Sequence, residues 1–277
     1  MGVIEPLVTV QDDINRTAWR TRSALRWYEN LHDWTDPGEG AAVAYVSDEV
    51  RGKPLLDVGM GAGRTVPMLT CLSTNYTGVD YTPELVSICR RNHPHARVHV
   101  MDARNMSAFD DNSFAFVMFS FNGIDSVNND DRRKILGEFA RVLKPGGIAL
   151  FSSHNIHGPS YRETPIRFLR IAKPCNLVEF SASCARVIYN LPFAVCNYLR
   201  YLPLNREYDG YGVRVCAAHN FGILIQYVDI DMQRQQCAEA GFRIEAIFGS
   251  NSGQRITEQS DVTREGYLHF VVRKRLS

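Results

Sequence analysis

The chain has 277 residues, of which 45% are hydrophobic and 22% are charged, as in an ordinary globular domain with additions. Its 31 lysines and arginines against 30 acids leave a net charge of +1, which argues against nucleic acid or an anionic membrane as a partner. No apolar run reaches the roughly 18 residues of a membrane span, and no signal peptide is visible, so a soluble cytoplasmic protein is expected.

The cysteines are spaced singly along the chain, at Cys71, Cys89, Cys175, Cys184, Cys196, Cys216 and Cys237. No CxxC or cysteine–histidine spacing predicts a zinc site, and an odd number does not complete a disulfide framework. We therefore expect neither a metal site nor a disulfide scaffold.

The N-terminal part, 13–50, has the periodicity of helices, with Trp19 and Tyr28 among its apolar positions. An Asp-Pro-Gly break at 36–38 divides it, and a second helix is predicted over 39–50. This part is expected to form a helical cap.

Strands and helices alternate from residue 53 onward. Strands are predicted at 53–58, 76–80, 97–101, 113–120 and 148–152. Helices are predicted up to about residue 72, at 82–92 and at 131–143, with a tight turn at 144–147. This alternation is typical of a parallel sheet covered by helices on both faces.

The alternation stops over 156–222 and then resumes. Further strands are predicted at 223–228, 242–248 and 267–272, with a helix at 232–240. We expect one domain made of a cap (13–50), a cofactor-binding core (53–155), an inserted substrate lid (156–222) and the C-terminal part of the sheet (223–277).

Three glycines follow the first predicted strand: Gly59, Gly61 and Gly63. Glycines at a strand-to-helix turn allow a ligand to approach the backbone closely. Asp57 lies two residues before the first glycine, where a carboxylate is compatible with a cationic aminoacyl sulfonium and unfavourable for a pyrophosphate. The turn thus favours an adenosyl sulfonium over a dinucleotide.

Acidic residues also end the next two strands. Asp80, followed by Tyr81, is placed where a carboxylate accepts both ribose hydroxyls, as adenosyl and nicotinamide cofactors alike require. Asp102, followed by Ala103, is placed to accept an adenine amino group. A nucleoside is therefore predicted, while Asp80 alone leaves its identity open.

The segments LLDVGMGAG, TGVD, MDA, FSFNGID and RVLKPGG, in this order and spacing, resemble class I S-adenosylmethionine-dependent methyltransferases. The resemblance covers about 53–152, and more loosely 222–273 through CAEAGF. It implies a Rossmann-like, doubly wound α/β fold with a seven-stranded, mostly parallel sheet whose last strand is antiparallel.

The resemblance also implies roles for particular residues. S-adenosylmethionine is the implied cofactor and S-adenosylhomocysteine its product. Asp57 and the three glycines would lie near the methionine moiety, Asp80 at the ribose, and Asp102 with Ala103 at the adenine. Phe119, Ser120 and Phe121 would lie near the methyl group, and Tyr28 or Trp27 would fold over the cofactor.

Substrate specificity is expected to come from what is added to this core. Six tyrosines fall within 156–222, which also has a net charge of +4. We predict that substrate contacts come from Asn122, Tyr161, Tyr208, Tyr211 and His219. The alternative is a helical side layer in which these tyrosines only pack.

Two residues that follow the fifth predicted strand, His154 and Asn155, are predicted to line the catalytic site. A hydroxyl acceptor needs a base in the transfer step, which histidine supplies near neutral pH, whereas an amine or thioether does not.

We therefore predict methyl transfer to an N, O or S atom of a small molecule by a monomer or homodimer. The alternatives are a macromolecular methyltransferase, a cofactor-binding pseudoenzyme and a nicotinamide-dependent dehydrogenase. The missing basic patch argues against a nucleic-acid substrate, and Asp57 with the KPGG segment argues against the dehydrogenase.

Overall fold

The computed structural model describes residues 5–31, 34–169 and 177–276. Cys175 and residues 170–176 of the predicted lid lie outside the described residues. No helix in the described part of the chain is long and apolar enough to span a bilayer.

Five parallel strands in the spatial order β3-β2-β1-β4-β5 form the centre of the sheet. They are β1 (Leu55–Val58), β2 (Tyr76–Asp80), β3 (Arg97–Val100), β4 (Phe114–Phe119) and β5 (Leu143–Asn155). The helices between them are α4 (Val66–Leu72), α5 (Pro83–Asn92) and α6 (Asn129–Val142). The predicted Rossmann-like architecture is confirmed.

Successive residues of the buried strands face opposite sides of the sheet, so two apolar cores form. Leu56 packs in a cluster with the α6 residues Leu136 and Phe139. Leu55 packs in a second cluster with Leu69 of α4 and Val86 of α5. Layers on both faces fix the sheet and leave its carboxyl edge open to a ligand.

The antiparallel strand predicted by the resemblance is present. After α9 (Ile230–Glu239), the chain forms β9 (Phe242–Gly249) and β10 (Tyr267–Lys274). Strand β10 runs antiparallel to both neighbours and lies between β5 and β9. The expectation of an antiparallel last strand is therefore confirmed.

The described residues form a sheet of ten strands, so the number of seven implied by the resemblance was wrong. Strand β8 (Ile223–Val228) is the strand predicted at 223–228, whereas β6 (Arg206–Tyr208) and β7 (Tyr211–Cys216) were not predicted. Strand β8 is parallel to β5 only at its end, where His154 pairs with Tyr227, and β7 and β6 follow antiparallel. Strands β6 and β7, from the last part of the segment expected to form a lid, thus continue the sheet.

A local signal for this extension was present in the sequence. Asp209 and Gly210 connect β6 to β7, and Gly210 has a φ of 74°. An Asp-Gly pair between two short strands is a typical two-residue hairpin turn. The hairpin precedes β8, and the long helix α7 (Leu177–Tyr201) precedes the hairpin.

The predicted turn at 144–147 lies within β5 instead. Leu143 pairs with Phe114 and Ile148 with Phe116, so β5 advances five residues while β4 advances two. The surplus is a bulge in which Gly146 has a φ of 74°. The glycines therefore accommodate an irregularity inside the strand and do not end it.

Within 5–31 and 34–50, three helices precede the sheet: α1 (Glu5–Trp19), α2 (Arg22–Glu29) and α3 (Pro37–Val50). The predicted break at 36–38 is in fact the start of α3, because Asp36 caps the helix through Glu39 N at 2.9 Å and Pro37 opens its first turn. Helix α1 is attached to β8, which is distant in sequence, because the Asn15 side-chain amide hydrogen-bonds to both the backbone N and O of Leu224.

Candidate active site

A cavity of about 360 Å³ opens at the carboxyl ends of the parallel strands. Its floor is formed by the residues that follow β1, β2 and β4. Its other walls come from helices α1 and α2 and from the segment 216–225 of the extension. Ligands of open parallel sheets bind at this edge, so this is the candidate site.

The glycine turn forms one wall of the cavity. Its three glycines differ in the space that a Cβ atom would have at each position. Gly59, Gly61 and Gly63 all have positive φ angles, of 63°, 58° and 100°. A Cβ on Gly59 would collide with the Phe119 ring at 2.4 Å, and one on Gly63 with the His93 ring at 2.5 Å. A Cβ on Gly61 would meet nothing within 4 Å. Gly61 is therefore the position where the turn leaves room for a ligand.

Asp80 lies beside this turn on the cavity wall. Its carboxylate accepts hydrogen bonds from Gly61 N at 3.0 Å and from Thr82 N at 2.7 Å, one on each oxygen. Burial raises the pKa of this carboxyl, and the two backbone N–H groups oppose the rise. Tyr81 also lines the cavity. Each Asp80 oxygen retains acceptor capacity toward the cavity.

Asp57 lies beneath the turn and does not line the cavity. One of its oxygens, Oδ2, accepts from Thr65 Oγ1 at 2.5 Å and from the Tyr76 hydroxyl at 2.8 Å. The other, Oδ1, is buried without a partner among the described residues. Burial raises the pKa of Asp57 to about 6 despite these two hydrogen bonds.

Asp102 is engaged by arginines. Both of its oxygens bind Arg104, and Oδ2 also accepts from Arg16 of α1 at 2.7 Å. Burial acts to raise the pKa of Asp102, but the hydrogen bonds from Arg104 outweigh it and lower this pKa to about 2. Asp102 does not line the cavity, whereas its neighbour Ala103 does. Its role at an adenine stays a prediction.

The end of β4 lines the cavity through Phe119, Ser120, Phe121 and Asn122. Phe121 and Asn122 have φ angles of 55° and 59°, an unusual left-handed pair of non-glycine residues. The side-chain Oδ1 of Asn122 is buried and has no partner within the described residues. Such strain and unpaired polarity cluster at functional sites.

A buried ion pair that the sequence did not predict holds Ser120. Arg64 binds both carboxylate oxygens of Glu39, at 2.6 and 2.8 Å, and donates to Ser120 Oγ at 2.6 Å. Ser120 in turn donates to Glu39. Burial acts to raise the pKa of Glu39, but the hydrogen bonds and charge of Arg64 outweigh it and lower this pKa below its ordinary value. Arg64 directly follows the glycine motif, and its partner in α3 carried no motif of its own.

His154 lines the cavity, and its Nδ1 lies 2.8 Å from Asp125 Oδ2. Asp125 is fully buried and forms an ion pair with the equally buried Arg132. Arg132 also donates to Gln233 Oε1 at 2.6 Å, which ties α6 to α9. Asp125 is the last residue of the FSFNGID segment, but the sequence did not predict its pairing with His154.

Asn155, the second predicted catalytic residue, is directed elsewhere. Its side-chain amide donates to Val262 O at 2.8 Å and Glu265 O at 3.1 Å, and its Oδ1 accepts from His157 N. It does not line the cavity, and these bonds fix the loop that precedes β10. Successive side chains along a strand such as β5 point to opposite faces of the sheet, so His154 and Asn155 do not share a site.

The predicted substrate residues divide into two groups. Asn122 and His219 line the cavity, as does the predicted cofactor residue Tyr28. Tyr161, Tyr208 and Tyr211 do not. Tyr208 and Tyr211 lie opposite each other across the hairpin, with ring centroids 4.5 Å apart. Tyr161 packs against Tyr227 with centroids 5.2 Å apart.

His219 belongs to a short turn, α8 (Ala218–Phe221), in which His219, Asn220 and Phe221 all have positive φ angles. Its ring packs edge-on against Trp19 at 4.8 Å. Burial lowers the pKa of His219 to about 4, so the ring is neutral near pH 7. It therefore contributes an uncharged, largely aromatic wall.

Further wall residues come from both additions to the core. They share an apolar or aromatic character and are Trp19, Ala24, Trp27, Cys216, Ile223 and Ile225. The aromatic residues of the cap were visible in the sequence, whereas the three from the extension resembled ordinary strand residues. Among the described residues, no group of three metal-ligating side chains comes together.

The family model described as a methyltransferase domain matches residues 55–147. A demethylmenaquinone methyltransferase of Renibacterium salmoninarum is 31% identical over 143 residues, 50% of this chain and 58% of that protein. A fatty-acid O-methyltransferase of Mycolicibacterium smegmatis is 34% identical over 109 residues, 38% of each chain. The matched segment thus spans less than two thirds of these curated relatives.

Among solved structures, the Burkholderia thailandensis 1,6-didemethyltoxoflavin-N1-methyltransferase with bound 1,6-didemethyltoxoflavin and S-adenosylhomocysteine has the same fold. The TM-score is 0.58 at 13% identity, with 99% of this chain and 92% of that chain covered. The sequence match of the core and this shared fold confirm the resemblance to class I S-adenosylmethionine-dependent methyltransferases.

Proposed function

The chain carries a methyltransferase domain of the class I S-adenosylmethionine-dependent family, and from this premise we propose that it methylates a small-molecule acceptor. The observation that carries the proposal is one continuous cavity with two unlike ends. One end has the glycine turn and Asp80. The other is walled by apolar and aromatic side chains of the cap and the extension.

The first end fits S-adenosylmethionine. Gly61 leaves open space at the turn, and the Asp80 carboxylate, already held by two backbone N–H groups, has acceptor capacity for ribose hydroxyls. Ala103 and Met101 supply a small apolar wall for an adenine. When bound, the sulfonium supplies an activated methyl group, and the chain's own residues align the acceptor with it and exclude water.

The second end suits a small, mainly apolar acceptor. The aromatic rings of Trp19, Trp27, Phe121 and His219 line it, and His219 is neutral. The cavity as a whole, cofactor end included, has a volume of about 360 Å³, which is in the range of small-molecule sites. The two curated relatives are named for demethylmenaquinone and a fatty acid, and these names support a small-molecule acceptor.

Ligand-induced stabilisation tests the cofactor. At about 100 times its dissociation constant, S-adenosylmethionine or S-adenosylhomocysteine should stabilise the wild type by roughly 2.7 kcal/mol, and NADH should not. Asp80→Asn should lose the shift. Asp48→Asn, at an exposed carboxylate of α3 outside the cavity, is the matched control and should keep the shift. Stabilisation by NADH alone would overturn the proposal.

The acceptor class is tested with methyl-labelled S-adenosylmethionine and a metabolite extract of the source cells. Label should appear in the small-molecule fraction and depend on Asp80. Label recovered only in protein or RNA would contradict a small-molecule acceptor. Binding without any transfer would indicate a pseudoenzyme.

A further inference from the structure

We propose that His154 and Asp125 form a general-base pair that removes the proton of a hydroxyl acceptor, so that the reaction is an O-methylation. This inference rests on the proposed function and narrows its acceptor to one chemical class. His154 is the catalytic residue of the pair, and Asp125 is a positioning residue that acts through it.

The carboxylate of Asp125 accepts four hydrogen bonds, two on each oxygen. Oδ2 accepts from the backbone N and the Nδ1 of His154, at 2.6 and 2.8 Å. Oδ1 accepts from Ser153 Oγ at 2.7 Å and from Arg132. All of Asp125 is buried. The Arg132 guanidinium therefore keeps an ionised carboxylate in place behind the histidine.

This arrangement selects one tautomer of His154. An ionised carboxylate only accepts hydrogen bonds, so Nδ1 must carry the proton that it donates to Oδ2. The lone pair then resides on the opposite nitrogen, Nε2. Within the described part of the chain Nε2 has no hydrogen-bond partner, and the ring borders the cavity with 15% of its side chain exposed. Nε2, the nitrogen that can accept a proton, is thus available to a substrate in the cavity.

No second charge competes for this nitrogen among the described residues that face the ring. Tyr227 of β8 and Tyr267 of β10 pack against it, with ring centroids at 5.0 and 6.1 Å. The Tyr267 hydroxyl is itself bonded to Asp36 at 3.0 Å. Among the described residues, the charged group hydrogen-bonded to His154 is Asp125, which in turn pairs with Arg132.

The chemical step balances with these groups alone. The acceptor oxygen attacks the methyl carbon, a C–O bond forms, and the C–S bond breaks with its electron pair passing to sulfur to give a neutral thioether. The acceptor proton passes to His154 Nε2, and Asp125 stabilises the resulting imidazolium. The proton is later released to solvent.

The presence of an oriented base discriminates between acceptor classes. A neutral amine or thioether transfers its lone pair without prior deprotonation, and a carboxylate is already ionised near pH 7. A hydroxyl is the acceptor that gains most from a base. The unpaired, buried Asn122 Oδ1 on the same cavity wall offers a second acceptor atom for a donor group of the substrate.

The tautomer is measured without turnover, from the imidazole nitrogens of ¹⁵N-labelled protein with S-adenosylhomocysteine. The His154 signals are assigned by their loss in His154→Gln. We expect Nδ1 protonated and Nε2 unprotonated, and a shift of this tautomer in Asp125→Asn. Because that variant leaves Arg132 unpaired, Asp125→Asn/Arg132→Gln provides a charge-balanced form. An unprotonated Nδ1 in the wild type would overturn the inference.

The reaction is tested with S-adenosylmethionine labelled with ¹³C in its methyl group and a metabolite extract of the source cells. The chemical shift of the product methyl carbon should identify an O-methyl group. His154→Ala should lower kcat by about 10²-fold or more and retain S-adenosylhomocysteine binding, with partial rescue by added imidazole. His157→Ala, which alters an exposed histidine outside the cavity, is the matched control.

The outcomes separate the two proposals. An N-, S- or C-methyl product, or a His154→Ala variant within a few fold of wild type, overturns the base assignment and leaves the proposed function standing. Failure of the wild type to bind S-adenosylmethionine overturns both.

Discussion

The two ends of the cavity are built in different ways. The cofactor end is formed by short segments that directly follow β1, β2, β3 and β4, so each contributes through a local turn. The acceptor end combines Trp19 and Trp27 with residues from 216–225, about two hundred positions away along the chain. The first is thus specified by local motifs and the second by long-range packing.

The kinds of contact also differ. At the cofactor end, backbone groups such as Gly61 N and Thr82 N hold Asp80, so the wall depends little on neighbouring side chains. At the acceptor end the wall consists of side chains such as His219, whose position depends on Trp19. A cofactor site of this kind can be kept while acceptor specificity changes, and the following variants test that separation.

Substitutions at two glycines should give the largest effects. Gly63→Ala places a Cβ 2.5 Å from the His93 ring at a φ of 100°, so we expect loss of several kcal/mol of folding free energy. Gly61→Ala has free space and should cost only about 1–2 kcal/mol from its positive φ, while weakening S-adenosylhomocysteine binding at least tenfold. Thermal melts and calorimetric titration measure both. Equal stability of the two variants would contradict this assignment.

Two small-to-large substitutions test the two ends of the cavity directly. Ala103→Trp at the cofactor end should abolish S-adenosylhomocysteine binding, because its side chain fills the adenine wall. Ala218→Trp, at an exposed alanine of the acceptor end, should preserve cofactor affinity and abolish label transfer. Calorimetry and the labelling assay read the two functions separately. Loss of cofactor affinity in Ala218→Trp would show that the two ends are not separable.

The buried Asp57 makes stability depend on pH at the cofactor end. Its pKa is about 6 in the folded protein and near 3.8 in an unfolded chain, so the folded state retains the proton longer. Its contribution should therefore fall by roughly 1.4 kcal/mol per pH unit as the pH rises from about 4 to 6. Asp57→Asn should remove this component, as measured by denaturant unfolding across that range. An unchanged pH slope would refute the raised pKa.

Backbone strain at the acceptor end should give the smallest effect. Asn220 has a φ of 55°, a region that glycine adopts freely. Asn220→Gly should relieve up to about 1 kcal/mol, partly offset by loss of its side-chain bond to Asn190. Cofactor affinity should not change. A clear destabilisation would mean that the side-chain bond outweighs the strain.

The sequence determined the local parts of this protein. Short segments alternating with predicted helices located the strands from β1 to β4, and the glycines followed by an acid at Asp80 predicted one wall of the cavity. These features could be predicted because they depend on neighbours a few residues apart, through periodicity and turn geometry. His154 lines the cavity because parallel strands end at a common edge, and its catalytic role stays a prediction.

The tertiary structure alone decided which side chains meet. Asp102 is occupied by Arg16 of α1, 86 residues away in the chain. The pairing of His154 with Asp125 likewise requires β5 and the segment after β4 to lie side by side. Such partners are set by the packing of distant elements, and no local pattern encodes which of several polar residues will be brought together.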